Sequence, residues 1–380
     1  MNNNITNAQI IEDDDGTEKE DLGDFEESRI EPFNPKEVDI QVVISIMDSI
    51  IKRLKNSEID LIPGFQRSPD LWKKSLQGRL IESLLINLPI PAFYFDAKDD
   101  DNWQIVDGLQ RLSAIKNFVV DKTLRLSGLE FLKEYDGASY DELPRTLQRR
   151  IEEFPVTLYL IKPGTPNKMK YSLFHRINTG GMSLKPQEIR HAINQGINNG
   201  RASLFLKDLS ENEDFCRLVR IQSNRMSNCE LVLRHIAFVI QGTGIYKSSM
   251  VRYLDDGMEL LGGCSENELD AYKRGFIRSM QLAWALFDEH AFKKSFVEST
   301  RIKVVNKPLF ESLSVALSSL SERESEILVT NKSIFLDKFK VLMREVDFSK
   351  SISKSTANKE AFNYRFVEMN KLVHDCCTEF

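Results

Sequence analysis

Apolar residues recur along this chain with two periods. Between Val38 and Leu54 they fall at Ile40, Val43, Ile44, Met47, Ile50, Ile51 and Leu54, a stripe that predicts one helix. Trp72, Leu76, Leu80, Ile81, Leu84 and Leu85 form a second stripe, closed by Pro89. Short runs at Ala92–Phe95 and Gln104–Val106 flank the polar turn Asp99-Asp100-Asp101-Asn102 and predict strands. An amphipathic helix is expected from Leu109 to Val119. Leu124–Leu126 and Pro155–Ile161 predict two further strands, with a helix over Leu143–Phe154 between them. After about Asn198 the strand signals fade. Leu231–Ile240, Glu266–Phe287, Pro308–Leu320, Ile334–Val346 and Ala361–Cys376 all carry the helical period. The pattern predicts an α+β chain, a small mixed sheet interleaved with helices followed by an all-α half. The boundaries it implies are residues 1–36, 37–197 and 198–380.

Three polar turns interrupt this pattern. The most informative is Asp107-Gly108-Leu109-Gln110-Arg111, where a strand meets a helix. A glycine turn opening a helix offers N–H groups and the positive end of a dipole to an anion. Arg111 adds a planar fork suited to phosphate oxygens. Asp107 suits a divalent cation or a water, and Gln110 either polar task. The same residues also fit a plain helix start, with Asp107 as cap and Arg111 on the surface. Such a polar corner predicts that truncating Arg111 spares the fold. Upstream lies Ile62-Pro63-Gly64-Phe65-Gln66-Arg67, and downstream Phe174-His175-Arg176-Ile177-Asn178-Thr179-Gly180-Gly181, with Leu184-Lys185-Pro186 opening a new helix. Three turns that each set arginine beside Gln, Asn or Thr read as walls of one anionic pocket.

The order Ile-Pro-x-x-Gln-Arg, Asp-Gly-x-Gln-Arg, Phe-x-Arg-Ile-Asn-Thr-Gly-Gly resembles the GmrSD-type restriction endonuclease N-terminal domain family, part of the ParB/sulfiredoxin-like nuclease superfamily. The resemblance spans roughly Glu37 to Gln195, about two-fifths of the chain. Asn178, Leu184 and Pro186 are also similar to the ParB phosphate-and-metal segment. Ile177 stands where ParB has an acidic residue, and Leu109 where the second motif usually carries Gln. The resemblance implies a ParB-like fold for residues 37–197 and a pocket for a nucleoside triphosphate, coupled to recognition of modified or foreign DNA. Relatives that cut DNA often carry a C-terminal nuclease domain with a His-centred metal motif. Here the C-terminal half holds only His235, His290 and His374, far apart.

Charge refines the picture. Residues 1–31 hold eleven acids against Lys19 and Arg29, a net of −9 in a chain of −6. This stretch is expected to be a disordered solubilising tail, or a strip that competes with nucleic acid for a basic groove. The body, near +3, is no strongly basic nucleic-acid binder, so DNA contact must come from local patches. Lys122, Arg125, Arg145, Arg149 and Arg150 form one basic run, read as a solvated face or a phosphate patch. Five cysteines without a CxxC pair point to a reduced, cytoplasmic chain. No signal peptide or membrane span is visible. Gly242-Thr243-Gly244-Ile245-Tyr246-Lys247-Ser248 lacks P-loop spacing, and the histidines lack zinc-ligand spacing. Arg234-His235, on an apolar helix, are expected to supply packing and one surface contact.

The functional expectation is a module that binds and hydrolyses a nucleoside triphosphate with Mg²⁺ or another divalent cation, coupled to DNA recognition in restriction or anti-phage defence. Asp107, Gln110 and Arg111 are the expected catalytic residues. Gln66, Arg67, Gly108, Arg111, Arg176, Asn178 and Thr179 would bind phosphate, and Asp107 with Asn178 the metal. Hydrolysis would then alter the packing of the helical domain. Two alternatives use the same pocket: a metal-dependent DNA nuclease, and a non-hydrolysing nucleotide-gated clamp for DNA or a partner, closer to ParB. DNA is the expected partner, with a separate nuclease protein and a homo-oligomer left open.

Overall fold

The structure is a computed structural model that describes residues 17–22, 39–61, 72–166, 170, 173, 185–195, 200–221, 226–297 and 304–378. The chain divides into two compact units. One is Glu31–Gly196 and the other is Met1–Ile30 with Ile197–Phe380. The class is α+β, with a small mixed sheet in the first unit and helices filling the second.

The sheet unit is built from β1 (Ile40–Ile46), α1 (Met47–Lys55), β2 (Ile59–Asp60), α2 (Lys74–Leu85), β3 (Phe93–Asp96), β4 (Trp103–Asp107), α3 (Leu109–Ile115), α4 (Arg145–Glu152), β5 (Pro155–Ile161) and α5 (Pro186–Gln195). Strand order is β1-β5-β3-β4-β2. β1 runs antiparallel to β5 and β3 parallel to it, while β4 lies antiparallel to β3 and parallel to β2. Alternation along the strands gives the sheet two apolar faces. Phe93, Phe95, Ile105 and Leu158 face a core made with Met47, Ile50, Ile81, Leu84, Leu112 and Ile151. Val106, Ile161 and Tyr94 face the other way, onto Ile189 and Ile193 of α5. The end of β4 therefore sits between two helical layers.

Two of the expected elements differ. The stripe read as one helix from Val38 to Leu54 is a strand to Ile46 and a helix only from Met47. Ile40, Val42, Val43, Ile44 and Ile46 are β-branched, which disfavours a helix and suits an edge strand. β1 then pairs with β5 over its whole length, from Ile40↔Ile161 to Ile46↔Pro155. Leu124–Leu126 forms no strand. Lys122 and Gly128 hold positive φ on either side of it, and Leu124 and Leu126 drop into the core from a loop tied to Asn117 and Ala138. The helix expected over Leu109–Val119 is α3 followed by one π-type turn, Lys116–Val120.

The helical unit comprises α6 (Arg201–Ser210), α7 (Glu213–Leu218), α8 (Ser227–Gln241), α9 (Met250–Gly263), α10 (Glu266–Phe287), α11 (Lys307–Ser318), α12 (Glu322–Thr330), α13 (Lys332–Arg344), α14 (Val346–Ser351) and α15 (Lys359–Thr378). Ser265 with Glu268, and Ser321 with Glu324, form capping boxes that start α10 and α12. α11 lies at the centre, against α8, α10 and α15. Aromatic rings fill the interior, as in the group of Phe238, Tyr253, Phe362 and Phe366. No helix among the described residues is long and apolar enough to cross a membrane.

Residues 17–22 depart from the expected unstructured tail with few contacts. Thr17 bridges to Val305, the Glu18 N–H donates to the Val305 carbonyl, and Glu20 reaches Arg234 inside the helical unit. Charge explains the departure, because buried cations there require carboxylates. Arg234 is correspondingly not a surface contact. It is 3% exposed and bonded to Glu20, Glu230 and Glu311.

Candidate functional site

The turn after β4 is shaped by Gly108. Its φ of 105° is left-handed, a conformation strained for other residues. A Cβ there would lie 2.5 Å from the Phe93 ring. The chain thus reverses from strand to helix within one residue, with the aromatic ring beneath. The N–H groups of Leu109, Gln110 and Arg111 open α3, at the positive end of its dipole.

Arg111 folds back over this turn. Its Nη2 lies 2.7 Å from the Asp107 carboxylate, and its Nη1 donates to the carbonyls of Pro91 and Ala92, the latter at 3.1 Å. The guanidinium carbon stands 4.8 Å above the centre of the Phe93 ring. Arg111 is 9% exposed, so the sequence's surface reading does not hold for it. Asp107 is half-buried beside it. Burial raises the Asp107 carboxyl above the ordinary range, and Arg111 and the Gly108 N–H offset this only in part. Tyr94, opposite Asp107 in the ladder and stacked on Tyr159, is held protonated by burial first and then by those two neighbours. Gln110 accepts the Trp72 N–H at 3.1 Å through its side-chain oxygen.

Asp107, Gly108, Gln110 and Arg111 therefore form one cluster. Gln66, Arg67, Arg176, Asn178 and Thr179 lie outside the described residues. Their described neighbours nevertheless converge here. Leu61 follows β2, which pairs with β4, and Trp72 bonds Gln110. Leu173, Ile189 and Ile193, on either side of the third motif, pack with Val106 next to Asp107.

Other candidates are accounted for by internal pairing. Lys122 pairs with Asp141, Arg125 with Glu142 and Arg145 with Glu152, and Arg150 bonds the Leu85 carbonyl. This favours the solvated face over a phosphate patch. Among the described residues no group of three or more His, Cys, Asp or Glu could hold a metal ion. All five cysteines are free.

Two polar features escaped the sequence reading. Glu82, buried on α2, accepts the N–H groups of Glu130, Phe131 and Leu132 at 2.7–3.1 Å. Asp96 and Lys170 pair in the interior at the opposite end of β3 from Asp107. A lone Glu inside the apolar run of α2 was the signal for the first. The second had none, since its partners are 74 residues apart.

Residues 49–194 match the family model described as GmrSD restriction endonuclease, N-terminal domain. Over these residues the chain is similar to that domain. The match covers less than half of the chain and lies wholly within the sheet unit, including the turn at Asp107. No curated protein and no solved structure matches the chain significantly.

Proposed function

We propose that the turn at the end of β4 is the floor of a nucleoside-triphosphate site, and that binding and hydrolysis there serve a restriction activity on DNA. The observation that carries this reading is the convergence on Asp107 of described residues bordering all three polar motifs. The GmrSD match over the same residues supports the restriction context.

The geometry suggests how the turn would work. Arg111 is held ready but engaged, with Asp107 as its carboxylate partner. An arriving phosphate is a competing anion for the same fork. Exchange of Asp107 for phosphate would release the carboxylate to orient a water or hold a cation. A single carboxylate suits Mg²⁺, which is commonly held by one or two carboxylates together with substrate phosphates. Such an ion would neutralise charge on the phosphoryl oxygens. The first N–H groups of α3 would add fixed positive charge, so positioning and electrostatics supply the catalysis. Gln110, already bonded to Trp72, would couple the first motif to the second.

Nucleotide binding with Mg²⁺, phosphate release and plasmid cleavage, measured side by side, test the reading. The wild type should bind a nucleoside triphosphate and release phosphate, and Asp107→Asn should bind while turnover collapses. Failure of every triphosphate to bind or to shift the thermal midpoint would overturn it. The family description favours a second reading, DNA cleavage in the same turn, which would appear as Asp107-dependent nicking without nucleotide. Tight binding without turnover would leave a nucleotide-gated clamp.

A further inference from the structure

Residues 17–22, Thr-Glu-Lys-Glu-Asp-Leu, lie extended along the helical unit. The Glu18 N–H donates to the Val305 carbonyl at 2.9 Å, and the Thr356 N–H donates to the Asp21 carbonyl at 2.8 Å. In an extended chain, residues two apart share a face. Glu18 and Glu20 accordingly turn inward, and Lys19 and Asp21 stay exposed. Glu18 lies between Lys294 Nζ at 2.6 Å and Asn306 Nδ2 at 3.0 Å. Glu20 grips Arg234 with both oxygens, at 2.6 and 3.3 Å, and accepts the Thr356 hydroxyl at 2.9 Å.

Among the described residues the helical unit gathers several buried cations around this strand. Arg234, Lys294, Lys307 and Arg365 are all buried, and among the described residues of the unit Glu230 and Glu311 pair with three of them, Arg234, Lys307 and Arg365. Glu18 adds a carboxylate to Lys294, and Glu20 adds one to Arg234. An uncompensated buried charge is strongly destabilising, so this slot requires carboxylates from somewhere. The strand brings no large apolar anchor, since Leu22 is only half-buried. Ion pairs and hydrogen bonds hold it, and another strand with the same groups can replace them.

We propose that this slot is a recognition site for an extended acidic peptide with glutamates two residues apart. Residues 17–22 are its self-ligand, and a partner protein bearing such a strand enters by displacing them. The backbone contacts select peptide over nucleic acid. The Val305 carbonyl needs an N–H donor, which a phosphodiester lacks, and the Thr356 N–H takes the peptide carbonyl three residues further on.

The test uses the full chain and a fluorescent synthetic peptide of residues 15–24. Wild type should bind it weakly, because the tethered strand competes at an effective concentration of millimolar order. Glu18→Gln/Glu20→Gln keeps the shape and removes both charges. It should bind the peptide about tenfold tighter or more, since its own strand competes poorly. In hydrogen exchange the Thr356 amide should lose protection in this variant and regain it when the peptide is added. A peptide carrying glutamine at both positions should bind neither protein. A folded variant that gains no affinity, a neutral peptide that binds equally, or an oligonucleotide that displaces the peptide as well as unlabelled peptide does, would overturn the proposal. Should the double variant not fold, Glu18→Gln, which loses only the Lys294 and Asn306 contacts, should show a smaller shift in the same direction. If that variant also fails to fold, the strand is an integral part of the core and the proposal falls.

Discussion

Arg111 is central to the site proposed at the end of β4, and its burial changes what its removal should do. A polar corner suggested that truncation would spare the fold. The side chain instead satisfies two backbone carbonyls and the Asp107 carboxylate. Arg111→Ala should therefore cost about 1–3 kcal/mol of stability, the range for leaving buried hydrogen-bonding groups unsatisfied, besides any loss of nucleotide binding. Arg111→Lys keeps the charge but not the fork and should fall between the two. Urea denaturation of both variants checks the order, and an unchanged midpoint for Arg111→Ala would place its guanidinium in solvent. Gly108→Ala combines a left-handed φ with a Cβ 2.5 Å from Phe93. About 2 kcal/mol or more should be lost through strain and overpacking. A neutral result in the same denaturation series would mean that the turn adopts another conformation.

At the scale of elements, α2 depends on one charge. Glu82 lies on its buried face, and its carboxylate gathers three consecutive N–H groups from residues 130–132. Burial raises its pKa, but those three donors outweigh burial and hold it below the ordinary value. The sign follows: stability from Glu82 is complete above the unfolded value near 4.5 and is lost as pH falls through the lower folded value. Glu82→Gln keeps the size but turns an amide donor toward donors. It should cost about 1–3 kcal/mol at pH 7 and flatten the acid limb of the stability curve. An unaltered pH profile would remove Glu82 from that account. Gly78 on the same helix allows the approach that makes this contact, since a Cβ there would meet the Ser127 carbonyl at 2.4 Å. β1 behaves differently. Val42 and Ile44 are exposed along an edge strand, a geometry prone to intermolecular pairing. Ile44→Lys should raise solubility with a change in stability within about 0.5 kcal/mol, checked by concentration-dependent light scattering and thermal melting.

At the scale of the whole molecule, acid should unfold the helical unit through His235. This ring is buried between Ser314, 2.9 Å from Nδ1, and the edge of Phe276. Burial lowers its pKa from 6.5 to about 3. The unfolded chain therefore binds a proton that the folded chain refuses. Stability falls as pH drops from about 6.5 toward 3, by up to about 5 kcal/mol when the shift is fully expressed. His235→Gln should lower stability at pH 7 yet remove most of that slope. Denaturant midpoints between pH 7 and 4 measure it, and parallel slopes for the two proteins would assign the acid sensitivity elsewhere.

Local pattern was sufficient wherever an element's own residues settle its state. β5 and α10 lie where alternation and helical period put them, because each buries a face that its own sequence defines. The turn at Asp107 was legible for the same reason: a strand, a glycine and a helix start are adjacent in the chain, and three neighbouring motifs point to the same chemistry. Tertiary structure decided what depends on distant partners. β1 became a strand because β5 offered it an edge, although its apolar spacing also fits a helix. Arg111 turned inward because the carbonyls of residues 91 and 92 lie beneath it. Glu20 found Arg234 across 214 positions of sequence, and no periodicity reaches that far. Hydrophobic period reports which face of an element is buried, but the pairing of buried charges is set by which elements meet, and only the folded chain specifies that.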